Sequence, residues 1–282
     1  MIEIVHFQKY NGKLTKRISL TETGAMKSDG SECVMSKGTA RRLVLPDHHA
    51  LAAHIHDLKG YEAIALGSLV PTVTAAEVRI VTKADLARLN GHAAAAGIIT
   101  RTSEYIAYRS GKPAFALIDV DTKGMPQGVR DRINKAGGYW AAITSVMPGL
   151  ANVARVERNS TSSCISRSDT GESLPGSEGR HIYVLVRDGS DVERFLRTMH
   201  DRLWLAGLGW YIVGKGGQLL ERSLVDKMVY AAERLVFEGP PTLEAPLQQD
   251  MAARRPLSYD GDPANTTAIC PGQDAVLGYR LS

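Results

Sequence analysis

Phe115-Ala116-Leu117-Ile118-Asp119-Val120-Asp121 is an apolar run that closes on two carboxylates one residue apart. Alternation along a strand puts Asp119 and Asp121 on one face, ~6 to 7 Å apart, with Val120 turned the other way. Two like charges at a strand end repel each other, and a bound cation or water must offset that repulsion. The pair therefore reads as a cradle for divalent metal. It also suits a strand running into the turn Thr122-Lys123-Gly124, where Asp is common for local reasons.

Around this segment the chain alternates between strand and helix patterns. Toward the N-terminus, Met1 to Tyr10 reads as a strand and Asp47 to Lys59 as a helix with Leu51, Ala52 and Ile55 at helical spacing. Short strands follow at Tyr61 to Leu66 and Glu77 to Val81, and Thr82 is placed to cap a helix through Asn90. The Ala-rich stretch at 93 to 96 fits neither pattern clearly. After Asp121, Pro126 starts a helix that runs to Lys135 and is closed by Gly137-Gly138. Farther on, Arg180 to Arg187 reads as a strand. Ser190-Asp191-Val192-Glu193 reads as a capping box for a helix carrying Val192, Phe195, Leu196, Met199 and Leu203 on one face, ended by Gly207. A strand Gly209 to Val213 leads through Gly214-Lys215-Gly216-Gly217 toward Leu224-Val225-Asp226, and Arg234 to Phe237 is a last short strand candidate. After Pro240-Pro241 periodicity fades, so residues 241–282 are expected to be a linker or loosely ordered tail behind a catalytic unit of two lobes at 1–240.

Composition sets the outer limits. The 282 residues are 44% hydrophobic, enough for one large domain or two fused lobes. A formal charge of +4 is compatible with a nucleic-acid or nucleotide partner without requiring one. Cys33, Cys164 and Cys270 are odd in number and far apart, which suggests neither a disulfide framework nor a CxxC metal site, and a reducing cytoplasm is expected. No stretch has the length and apolarity of a signal peptide or a membrane span. Lys215 lies in a Gly-rich loop that lacks the spacing of a Walker phosphate loop, and it reads as a solvated turn residue.

Three separated features form an ordered set: Asp119 and Asp121 end one apolar strand, the polar segment Arg158-Asn159-Ser160-Thr161-Ser162-Ser163 precedes a strand bearing His181, and Asp226 ends a third apolar run. Three carboxylates can hold two metal ions for nucleotidyl transfer, and a histidine with Arg or Ser nearby supplies donors to phosphate oxygens. On these residues the chain resembles the archaeo-eukaryotic primase superfamily, in particular the primase-polymerase domains of phages and other mobile elements. The first motif of that family is an apolar strand ending in Asp-x-Asp or Asp-x-Glu, its second a Ser-and-His element, its third an apolar strand ending in Asp. The resemblance spans residues 60 to 240.

The resemblance implies an α+β fold in which an N-terminal αβ lobe packs on an RRM-like lobe with the active site in the cleft. It implies two ions, Mg²⁺ or Mn²⁺, on Asp119, Asp121 and Asp226, with His181 on the incoming triphosphate and Arg158, Ser163 and Ser177 as further nucleotide-binding candidates. Expected partners are a single-stranded DNA template, nucleoside triphosphates and a separate replicative helicase. The serine run is set apart from His181 by a polar insertion, which leaves the serving serine open, and Cys164 stands where a glycine is expected. Two other readings compete. His54-Ile55-His56 matches the His-hydrophobic-His element of replication or conjugation nickases, with Tyr105 or Tyr108 as nucleophile, although ligands at i and i+2 converge only on a strand and this segment reads as helix. The other is a catalytically inactive, single-stranded DNA-binding replication module.

Overall fold

The computed structural model describes residues 1–89, 97–120, 122, 124–174, 179–214 and 216–272. Lys215, Asn90 and the Ala-rich stretch at 93–96 lie outside them. The chain is a mixed α+β fold with several sheets. In the N-terminal sheet, β1 (Ile2–Lys9) is central, flanked by β2 (Gly38–Leu45), and α1 (His48–Asp57) leads into β3 (Glu62–Ala65), followed by β4 (Glu77–Ile80) and β5 (Ile98–Ile99). The sheet order is β3-β1-β2-β4-β5, antiparallel except for the last pair. Asp47 caps α1 by accepting from the Ala50 N–H, and Leu51, Ala52 and Ile55 are buried as their spacing predicts. The sequence between Glu32 and Leu45 gave no strand expectation. Exposed Arg41 and Val44 interrupt the apolar alternation of β2 there.

The second half of the fold begins with β6 (Ala114–Val120), followed by α2 (Gln127–Ala136), α3 (Tyr139–Val146), β7 (Arg155–Asn159), β8 (Arg180–Val186), α4 (Val192–Leu205), the hairpin β9 (Gly209–Val213) and β10 (Leu219–Ser223), and β11 (Leu257–Tyr259). Its sheet is antiparallel throughout, in the order β6-β8-β7-β11. On the far side of β6 the N–H of Asp226 donates to the Asp119 carbonyl at 3.1 Å, so the run 224–226 flanks that edge. Val129 and Ile133 of α2, Ala142 and Ile143 of α3, and Phe195, Leu196 and Met199 of α4 bury against this sheet. Leu51 and Ile55 of α1 and Ile2 and Ile4 of β1 belong to the same core, so the two sheets share one apolar interior.

The helix starts and stops follow from local chemistry, with one correction. Gly137 closes α2 at φ 98°, where a side chain would be strained. The expected capping box at Ser190 is not made. Asp188 instead accepts from the Ser190 and Gly111 N–H groups, and a 3₁₀ turn over Gly189–Asp191 precedes α4. Helix α3 was not foreseen, because its aromatic and β-branched run Tyr139-Trp140-Ala141-Ala142-Ile143-Thr144 has weak helix propensity. Thr82 does cap a helix, but a short one, Lys83–Ala87. Arg234 to Phe237 forms no strand of its own. Val236 makes a single two-bond bridge to Ile64 on β3.

Residues 241–272, expected to be a linker or loosely ordered tail, carry strands and buried side chains. Leu247–Gln249 pairs with Ile165–Arg167, β11 extends the second sheet, and Arg254 is fully buried. This stretch is held by backbone pairing, by the buried charge of Arg254 and by scattered apolar side chains such as Leu247, Ala264 and Cys270, which form no periodic pattern.

Candidate functional site

The register of the second sheet sets Arg158 on β7, His181 on β8 and Asp119 on β6 directly across from one another in a single row. Directly opposed residues share a face, so the three side chains emerge side by side on the face turned toward α1. Asp226 is joined to the Asp119 end of the row by the backbone bond described above. His181 Nε2 lies 3.7 Å from Asp119 Oδ1, and Asp119 remains partly exposed. Two residues farther along β8, Tyr183 projects on the same side.

Behind the row sits Glu238, a carboxylate with no exposed surface. Its Oε1 accepts from His181 Nδ1 at 2.5 Å and from the Tyr183 hydroxyl at 2.5 Å. Its Oε2 meets Arg158 Nη1 and Arg254 Nη2, each at 3.2 Å. Burial alone pushes the Glu238 carboxyl up, but His181, Arg158 and Arg254 outweigh it and hold it at about 2. Burial likewise pulls the His181 imidazole down, and the carboxylates of Glu238 and Asp119 more than compensate, so its pKa is raised. Burial lowers Arg254 to about 10 and pushes Tyr183 well above its usual value. The bond at Nδ1 fixes the imidazole ring and turns Nε2 toward Asp119.

Arg158, expected as a nucleotide contact, is buried. Besides Glu238 it donates to the carbonyls of Ile55, Arg254 and Glu238. As placed, it supports Glu238 and ties α1 to the second sheet. The serine run follows β7 and folds back on β8: the Ser160 N–H donates to the Gly179 carbonyl at 2.9 Å, and Ser163 Oγ lies 3.0 Å from Ser160 Oγ. A Cβ on Gly179 would come within 3.2 Å of the Val120 carbonyl and 3.3 Å of Ser160 Oγ, so this glycine lets the serine loop close on the end of β6. Cys164 adopts φ 59°, the left-handed conformation that glycine favours, at the position where the sequence predicts a glycine. Asp226 is partly buried and caps the 3₁₀ turn Lys227–Tyr230 through the Met228 N–H at 2.9 Å. Asp121 and Ser177 lie outside the described residues.

The donor chemistry of Asp119 and Asp226, carboxylate oxygen throughout, fits a hard dication such as Mg²⁺ or Mn²⁺. Among the described residues, however, they do not form a group of three converging ligands. The group that does is His48, His49 and Asp260, whose ligand atoms all lie within 4.8 Å of one another and could hold a metal ion; His48 is buried, the other two exposed. A cavity of about 420 Å³ opens beside Asp226, lined by His200, Tyr211, Glu221, Val225 and Lys227. His54 and His56 sit on α1, as their helical pattern predicts. His54 Nε2 meets His6 Nδ1 at 3.2 Å, while His56 is exposed, so the pair does not converge. Burial lowers both His6 and His54 to about 4, with Arg41 and His6, respectively, adding to the effect.

Sequence reasoning missed Glu238, Arg254 and Tyr183. Tyr183 was legible as i+2 from His181 on a strand. Glu238 stands in Phe237-Glu238-Gly239-Pro240, where no spacing relates it to His181. No helix among the described residues is long and apolar enough to cross a membrane. Compared with family models, curated proteins and solved structures, the chain has no match.

Proposed function

We propose that the chain is a template-dependent primase-polymerase that joins nucleoside triphosphates on single-stranded DNA. The observation that carries this reading is that Asp119 and His181 face each other across one register pair while the backbone of Asp226 hydrogen-bonds to that of Asp119, which makes residues of the three sequence motifs neighbours on one sheet. Two further features support it. The element order β6, α2 with α3, β7, β8, α4, then the run 224–226 with one backbone bond to β6, is compatible with the split βαβ sheet expected of an RRM-like lobe. The row also lies on the face of its sheet turned toward α1, the side on which the resemblance would place the N-terminal αβ part.

In this reading His181, held by Glu238 and directed away from it, donates Nε2–H to a phosphate oxygen of the incoming nucleotide. Asp119, Asp121 and Asp226 would hold two divalent ions, Mg²⁺ or Mn²⁺, which supply activation of the 3′-hydroxyl and stabilisation of the pyrophosphate leaving group. The serine loop at 160–163 presents hydroxyls beside the end of β6, and the cavity next to Asp226 has a volume within the range of small-ligand sites. In this reading basic residues guide the template, and a separate replicative helicase is the expected partner.

His181→Ala tests the reading. The expected outcome is at least about a tenfold rise in nucleotide KM or fall in kcat, equivalent to the ~1.4 kcal/mol of a charge-assisted hydrogen bond. Affinity for single-stranded DNA should remain unchanged and salt-dependent. Weak template binding by the mutant, together with a wild type that incorporates nothing under either metal, would instead identify a nucleic-acid-binding module that lacks the chemistry.

A further inference from the structure

We propose that His48, His49 and Asp260 form a binding site for a zinc-class divalent cation that clamps the start of α1 to the outer strand of the second sheet. The site is separate from the row at Asp119, and the proposal does not depend on the primase reading.

Three observations carry it. First, the ligand atoms are spaced as a metal requires. His48 Nε2 and His49 Nε2 lie 3.3 Å and 2.8 Å from the same oxygen, Asp260 Oδ1. Ligands about 2.0 to 2.1 Å from a tetrahedral zinc stand about 3.3 Å apart, so an ion entering between them needs only small adjustments of exposed side chains. Second, His48 Nε2 is a buried nitrogen without a hydrogen bond, on a side chain only 8% exposed. Its charged neighbour, Asp260 Oδ1 at 3.3 Å, is shared with His49, and a ligand bond would satisfy the buried nitrogen more fully. Third, the ligands are presented by fixed backbone. His48 and His49 open α1 directly after the Asp47 cap, with their rings 4.2 Å apart. Asp260 follows β11, and the next residue, Gly261, is pressed so closely on residues 152–154 that an added Cβ would meet the Asn152 carbonyl at 2.2 Å. The chain is pinned again at Asp262, whose carbonyl accepts from the Ala154 N–H.

The donor set selects the metal. Two imidazoles and one carboxylate suit zinc and its first-row neighbours, whereas magnesium prefers oxygen ligands and keeps most of its water. Asp47 already accepts from the Ala50 N–H, so the fourth position falls to water, and Asp260, 84% exposed, leaves that side open. The positive end of the α1 dipole opposes a cation here, and the Asp47 carboxylate offsets part of that repulsion. A bound ion would tie α1 to the sheet that bears the Asp119 row.

The test is calorimetric titration of the full chain with ZnCl₂, with thermal unfolding measured in parallel. One equivalent of saturable Zn²⁺ binding is expected, with millimolar MgCl₂ failing to compete and zinc raising the melting temperature. His49→Ala and Asp260→Asn, both at exposed side chains, should fold normally, and each should weaken zinc binding at least tenfold and abolish the thermal shift. Asp119→Asn should leave zinc binding unchanged. Absence of saturable binding would overturn the proposal, as would zinc affinity that survives both His49→Ala and Asp260→Asn or is lost in Asp119→Asn.

Discussion

Glu238 is the residue on which the site's geometry turns. It is buried without exposure among two arginines, a histidine and a tyrosine, and removing one partner of such a cluster leaves uncompensated charge in the core. Glu238→Ala should destabilise the fold by ~3–5 kcal/mol in urea unfolding. The pH dependence follows from the directions of the shifts. Glu238 is lowered from 4.5 to about 2, so its contribution is fully present above 4.5 and is lost as the pH falls through about 2. His181 is raised above 6.5, so its contribution is fully present below 6.5 and is lost as the pH rises through its folded value. The cluster should therefore stabilise most between these limits. Glu238→Gln should flatten the profile of unfolding midpoint against pH, and an unchanged profile would show that the cluster is not what titrates. A second residue-scale expectation concerns Cys164. Its left-handed backbone is strained for a residue bearing a Cβ. Cys164→Gly should be neutral or stabilising by up to ~1 kcal/mol, whereas Cys164→Val should destabilise by ~1 kcal/mol or more, both read from denaturant midpoints.

At the scale of elements, the legible parts of the chain were those whose own side chains carry a period or a stop signal. The strand over Phe115 to Val120, read from the sequence as running on to Asp121, the α1 spacing of Leu51, Ala52 and Ile55, and the Pro126 to Gly137 limits of α2 stand where the sequence puts them. Elements defined by what they pair with were not legible. β2 carries charged and exposed positions, α3 has a strand-like composition, and β10 was hidden behind a glycine loop whose hairpin became clear only from the register Gly209 to Ser223. The segment after Pro241 is the clearest case, because Arg254 reaches Glu238 from a stretch without apolar rhythm. This gives a prediction at the same scale. A chain ending at residue 240 loses β11 and Arg254, and it should show no cooperative unfolding transition by circular dichroism; a cooperative transition near that of the full chain would mean that these contacts contribute little.

Over the whole molecule, the candidate site was half legible. Asp119, His181 and Asp226 were chosen from three distant segments; the sheet register pairs Asp119 with His181, and one backbone bond sets Asp226 beside Asp119. The support beneath them was not legible, since Glu238 and Arg254 act through tertiary contacts between stretches with no shared pattern. Arg158 shows the limit from the other side: a basic residue beside a serine run suggests a phosphate contact, yet its strand position turns it inward to Glu238. The nickase reading fails for a reason the helical pattern already contained, because α1 separates His54 from His56.

The central claim is that the acidic end of β6 carries nucleotidyl transfer. It is tested most directly by incorporation of labelled nucleotides on single-stranded DNA with Mg²⁺ or Mn²⁺, comparing wild type, Asp119→Asn and the double variant His54→Ala with His56→Ala, each checked for folding by circular dichroism. The account predicts incorporation by the wild type, its loss in folded Asp119→Asn, and near-wild-type incorporation by the histidine variant. Full incorporation by Asp119→Asn, or DNA nicking that disappears with the two histidines, would contradict it.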